Sequence, residues 1–242
     1  MTAITLAVAE TRLILRNRTV LVTAAIIPLA LGLAIGQSNV YGVAESAGAL
    51  AAVQLGMLLV FGLFMTLTMT LTARRQQLYL KRLRTSPAST ASIVAGLASP
   101  LALIVSAQSA VVLGASAWAA GVPAHPELLV LAFVNGAVTM TAFGFLTASF
   151  TKTPEAAQIT VLPGMFVFMI GLFWALVPID GPAALIRLAV PGAALTDLTV
   201  LAWDGTEGGY LAAIAEPLAL STAVALLAAA VAAKLFRWQP RA

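Results

Sequence analysis

The chain contains no cysteine and a single histidine, His125, in 242 residues. Without cysteine there is no disulfide framework, thiolate metal site or cysteine nucleophile. With one histidine, a multi-histidine metal centre and a Ser/His/Asp constellation lose their raw material. Charge is scarce as well. Asp, Glu, Lys and Arg make up 9% of residues, against roughly 25% in a soluble domain. So few charges cannot cover a water-facing surface, which excludes a soluble enzyme, a disordered tail and a coiled coil. No GxxxxGK[ST] segment occurs, so the chain carries no phosphate loop for nucleotide hydrolysis. The apolar runs are nearly bare of acids, whereas proton- and sodium-coupled transporters keep ionisable groups at membrane depth. Glu216, followed by Pro217, is the only acid inside such a run.

What is abundant is apolar sequence, 61% of the chain. A spanning helix needs about 17–25 mostly apolar residues. Six runs approach this: 20–36, 47–73, 92–120, 128–150, 157–177 and 211–236. The expected fold is an all-α polytopic membrane protein with six transmembrane helices in one transmembrane domain, residues 1–242. Charge placement orients it. Twelve of the 13 basic residues fall on one side, with the N-terminus, the loops after spans two and four, and the C-terminus. Seven of the nine acids fall on the other. Both termini are therefore expected in the cytoplasm, in a multi-pass protein of the cell (plasma or inner) membrane. This asymmetry also explains the net charge of +4 and removes the reason for a nucleic-acid partner.

Three segments are not spans. The first, Ile4–Arg18, sets Leu6, Leu13 and Ile14, with Val8 and Leu15 nearby, against Glu10, Arg12, Arg16 and Arg18. It reads as an amphipathic helix in the cytoplasmic interface, or as a basic leader that sets topology. The second, Arg74–Ser92, holds five of the 13 basic residues. Leu78, Tyr79, Leu80 and Leu83 interleave there with Lys81, Arg82 and Arg84, and a short helix fits Arg75–Arg84 before Pro87. Exposed leucines on it would need a partner surface; otherwise the loop simply enforces topology. The third, 182–202, is apolar but broken by Pro191 and Gly192 and carries Arg187 and Asp197. It fits a re-entrant pair of short helices, or a helix packed on the outer face. Among polar residues in the spans, Thr66, Thr68, Thr70 and Thr72 read as hydroxyls bonding locally.

Four short segments then carry a resemblance. They are Leu80-Lys-Arg-Leu-Arg-Thr-Ser-Pro87, Thr153-Pro-Glu-Ala-Ala157, Pro163-Gly164 opening a Phe/Met-rich span, and Pro191 followed by Thr196-Asp197-Leu198. In this order, the chain resembles the permease (transmembrane) subunit of type-2 ATP-binding cassette (ABC) exporters, the class that moves drugs, lipids and polysaccharides. It departs at Arg74–Tyr79, where the family often has acids and a glycine. The resemblance implies an N-terminal amphipathic helix, six spans and re-entrant outer helices before span six. It implies a coupling helix at about 75–86, seated on a separate ABC ATPase through Leu78, Tyr79, Leu80, Arg82, Leu83 and Arg84. ATP and Mg would be bound by two partner ATPase subunits, with no cofactor on this chain. A second permease chain, giving a homodimer, would enclose the pathway between spans two and five. Helical spacing groups Gln54, Met57, Phe61 and Met65 in span two. It groups Met165, Phe166, Met169 and Phe173, with Trp174 alongside, in span five. Methionine and aromatic faces repack readily around greasy substrates. The expected function is ATP-driven export of a hydrophobic or amphipathic small molecule (drug, antibiotic or lipid-like), in contact with membrane lipid. The alternatives are an ion-coupled secondary drug transporter and a non-transporting membrane assembly factor.

Overall fold

The computed structural model describes residues 3–16, 22–37, 46–85, 88–179, 181–206 and 209–238. Among these residues every regular element is helical. The order is α1 (Ala3–Arg16), α2 (Ile27–Gln37), α3 (Ala47–Gln76), α4 (Tyr79–Arg84), α5 (Thr90–Ala120) and α6 (Pro126–Phe150). Then come α7 (Pro154–Trp174), α8 (Pro182–Leu188), α9 (Ala193–Asp204) and α10 (Tyr210–Leu235).

The apolar runs expected at 47–73, 92–120, 128–150, 157–177 and 211–236 overlap α3, α5, α6, α7 and α10, which among the described residues are the five helices long and apolar enough to cross a membrane. The first run, 20–36, differs. Its apolar helix, Ala24–Gly36, falls short of such a length, and residues 17–21 before it lie outside the described residues. Among the described residues, a sixth crossing arises if α8 and α9, bent by 101°, are counted as one span. Short α2 is entered through a π turn at Val22–Ile26. Gln108 of α5 donates to the carbonyls of Ala24 (3.2 Å) and Ala25 (2.5 Å) in that turn. A wider turn leaves backbone groups poorly paired, and in an apolar setting a side-chain amide must take them up.

Helix α3 forms the centre. Its apolar stretch is 78% buried, against 22% for α10 at the periphery. It packs on α2, α5, α6 and α9. Its threonines behave as local glue: Thr68 donates to the Phe64 carbonyl (2.8 Å) and Thr72 to that of Thr68 (3.0 Å). Thr66 reaches the Phe61 carbonyl, five residues back, where α3 widens into a π stretch at Leu58–Met65.

At the acidic end, α9 is not a surface helix. It packs on α3, α6, α7 and α10, and Leu195, Leu198 and Ala202 are buried. The bend before it is made by Gly192 at φ 103, where an added Cβ would run into the α7 backbone at Phe168 and Leu172. Only glycine allows both the positive φ and that approach. Thr196 then donates to the Leu172 carbonyl (3.0 Å). Arg187 of α8 pairs with Asp197 of α9 (2.8 Å) and donates to the Ala175 carbonyl (3.1 Å). Asp204 accepts from Ser46 Oγ (2.5 Å) and the Gly48 amide (3.1 Å), which ties α9 to the start of α3.

Candidate functional site

The basic segment folds differently from the expected helix at Arg75–Arg84. Arg75 and Gln76 continue α3, and the chain turns at Gln77-Leu78 before α4 begins. Leu78 has φ 58, the only positive φ of a non-glycine residue among the described residues. A leucine in this region is strained by about 1–2 kcal/mol, so the turn is held by its surroundings.

Those surroundings are ionic. Arg75 is fully buried and donates to the Ala148 carbonyl (2.9 Å) and to the Thr151 carbonyl. A cation at the carbonyl end of α6 completes the last turn of that helix and offsets its dipole. Arg74 pairs with Glu10 of α1 at 2.8 Å. Its guanidinium also lies over the Tyr79 ring, 5.3 Å from the centroid. Burial raises the Tyr79 phenol above its ordinary pKa, and the charge of Glu10 adds to the rise, so the hydroxyl stays neutral at physiological pH. Glu10, expected on the polar face of the N-terminal helix, is instead buried at 2% exposure. The buried stripe of α1 is Leu6, Glu10 and Ile14, while Val8 and Leu13 are exposed. The stripe packs on α5, where Gly96 leaves room for Leu6.

The picture of three exposed leucines is corrected. Leu80 and Leu83 are buried in this chain's own core, whereas Leu78 is 43% exposed. Helical spacing explains it: once α4 starts at Tyr79, positions 80 and 83 fall on one face, toward the bundle. Lys81, Arg82 and Arg84 stay exposed and Tyr79 is half-buried. Arg84 turns toward α5 and the C-terminal segment. It donates to Thr90 Oγ1 (2.6 Å) and lies over the Trp238 ring, 5.5 Å from the centroid. Ser89 caps α5 by accepting from the Ser92 amide (3.1 Å). Ser86 and Pro87, the end of the expected coupling helix, lie outside the described residues.

The expected pathway residues separate into two groups. Gln54 is buried: its amide donates to the Gly32 carbonyl (3.0 Å) and its oxygen accepts from Ser116 (2.8 Å). It joins α2, α3 and α5 and is not open to a pathway. Met57, Phe61 and Met65 are half-buried positions of α3, on a stretch whose other residues from Ala51 to Thr68 are buried. On α7, Phe166 and Phe173 are exposed, and Met165, Met169 and Trp174 are half-buried. The two helices touch, with Leu172 of α7 seated on Gly56 of α3.

Sequence reasoning missed two features here. The Glu10–Arg74 pair joins residues 64 positions apart, so nothing local announces it. The buried role of Arg75 had a faint signal, since Arg74 and Arg75 continue the helical run of Thr66–Ala73 without a breaker. Among the described residues, no group of three His, Asp or Glu side chains gathers to hold a metal.

The model of the ABC-2 type transporter family matches residues 2–187. The chain belongs to this family. No curated protein matches it. As an ABC-2 permease it is a multi-pass membrane component of a transporter rather than a catalytic domain, and its family implies an ABC ATPase partner. The match spans α1 to α8, and so includes the strained turn at Leu78 and the Glu10–Arg74 ion pair beside it.

Proposed function

We propose that this ABC-2 permease exports a hydrophobic or amphipathic small molecule from the cytoplasm, driven by two separate ATPase subunits docked at α4. The observation that carries the docking reading is the strained, exposed Leu78 at the junction of α3 and α4, flanked by exposed Lys81 and Arg82. Strain held in place by the Glu10–Arg74 pair and by buried Arg75 marks a segment that does something besides fold. A push on α4 enters α3 directly. Because α3 is the most buried helix, its displacement must repack α2, α5, α6 and α9. The basic end is cytoplasmic in this reading, as the charge asymmetry demands. ATP and Mg are bound by the partners.

The docking reading is tested by capturing the tagged chain from mild-detergent membranes and identifying what accompanies it. A stoichiometric ABC ATPase is expected. Leu78→Asp should lose that subunit at least tenfold while the chain still inserts. Buried Leu83 is unsuitable for this test, because an acid there damages the fold itself. A lone chain under conditions that preserve complexes favours an ion-coupled transporter instead.

The pathway reading uses the accessible methionine and aromatic faces of α3 and α7, with a second copy of the chain closing the other side. Phe61→Ala or Phe173→Ala should alter the ranking of several transported compounds while ATPase association stays normal. An unchanged ranking assigns these faces to packing or lipid.

A further inference from the structure

A cleft of about 780 Å³ opens between α5, α6 and α10. No expected pathway residue lines it. Its volume is in the range of pockets that hold small ligands. Helix α10 packs along α6, while α5 meets α6 only sparsely and scarcely touches α10, so α6 and α10 form one side of the cleft and α5 the other. The walls are made from small side chains, among them Ala95, Ala98 and Ala102 of α5 and Ala225, Ala229 and Ala233 of α10. On α10 these recur at every fourth position, which keeps one helix face shallow along its length.

The two ends differ. At one end stand Arg84, Thr90 and Trp238. Arg84 is fixed there by its bond to Thr90 Oγ1 and by the Trp238 ring. A guanidinium has five N–H donors in a planar fork suited to phosphate, and Thr90 takes one bond from it. Lys234 and Arg237, both exposed, neighbour the lining residues Ala233 and Phe236 in sequence, and no acidic side chain lines the cleft. At the other end are Phe133, Asn135 and Thr222. From Thr90 to Ala102 the α5 wall rises roughly 18 Å at 1.5 Å per residue. One leaflet of a bilayer has about 15 Å of hydrocarbon. With the basic end cytoplasmic, as in the reading above on which this step rests, the cleft is basic and aromatic where headgroups lie, and its apolar length matches one leaflet. A molecule with one anionic end and an apolar tail uses both features.

We propose that this cleft is a binding site for an anionic phospholipid of the bilayer, its phosphate on Arg84 and one acyl chain along the alanines. It is separate from the transport pathway on α3 and α7. Because Arg84 is the last residue of α4, the docking helix of the reading above, an occupied cleft ties α4 to α5 and α10 and sets how freely α4 moves.

The test is native mass spectrometry of the purified full chain with dioleoyl-phosphatidylglycerol or dioleoyl-phosphatidylcholine. The wild type should retain one phosphatidylglycerol about tenfold more strongly than phosphatidylcholine, whose phosphate could meet Arg84 only with the choline cation brought beside the guanidinium. Arg84→Gln should erase that preference and keep weak retention of both lipids. Ala95→Phe with Ala229→Phe, at exposed alanines, should lose both by filling the cleft. Equal retention of the two lipids by the wild type overturns the proposal, as does unchanged phosphatidylglycerol retention by Arg84→Gln. A dimer that the double phenylalanine variant breaks, with lipid retention unaltered, assigns the cleft to a second copy and also overturns it. The measurement uses the chain without an ATPase, so failure of the docking reading leaves its outcome unchanged.

Discussion

Arg75 shows how a single side chain can hold two helix ends together. It is fully buried at the end of α3 and bonds two carbonyls at the end of α6. Removing it leaves buried acceptors without that donor and opens a cavity. Arg75→Ala should lower stability by about 3 kcal/mol, seen as a drop of several degrees in the detergent melting temperature. Arg75→Lys should recover little, because one ammonium lacks the planar fork that reaches two carbonyls. Melting of Arg75→Ala at the wild-type temperature would remove this role. The neighbouring Arg74 has a different task, since it ties α1 to the turn at Leu78 through Glu10 and Tyr79. Two adjacent arginines that look equivalent in sequence therefore do unlike work. Their directions differ by about 100° around the helix, one inward to α6 and one toward α1.

Among the elements, α1 offers the clearest test of packing. Its apolar stripe holds it to α5, and Leu6 fills the space above Gly96, where an added Cβ would come within 2.7 Å of the leucine side chain. Gly96→Leu should displace Leu6 and release α1. Exposed Arg12 and Arg16 then become faster trypsin sites, by tenfold or more, while the spans stay protected. Cleavage at the wild-type rate would show that the ionic contact of Glu10 with Arg74 suffices by itself. Within the site, the presence of a short basic helix after α3 was legible from Leu80–Arg84 and Pro87. Its start was not. The left-handed Leu78 is a backbone event that leucine's ordinary preferences argue against, so tertiary contacts decide it. The resulting shift in register turned Leu80 and Leu83 from expected contacts into core.

For the whole molecule, orientation is the open mechanical question, and the absence of native cysteine makes it easy to ask. Single cysteines at Ser89, beside α4, and His125, before α6, should report on opposite faces. With a membrane-impermeant maleimide on intact cells, Ser89→Cys should stay unlabelled and His125→Cys should react. The reverse pattern inverts the topology and with it the docking reading. Both positions are near helix starts and partly or fully exposed, so the substitutions leave the bundle intact.

Membrane residence and the all-helical class follow from composition and hydropathy alone. Few charges, a dominant apolar fraction and runs of spanning length leave no other way to satisfy the backbone in a bilayer. The helices α3, α5, α6, α7 and α10 were readable for the same reason, because hydropathy and length are local properties. Only the tertiary structure decided that α8 and α9 meet at a sharp bend and that Glu10 pairs with Arg74. It also decided which alanines face a cleft and which face another helix. Those outcomes depend on residues far apart in the chain, and a helix that is apolar on every side gives its own sequence no marker of the face it will bury.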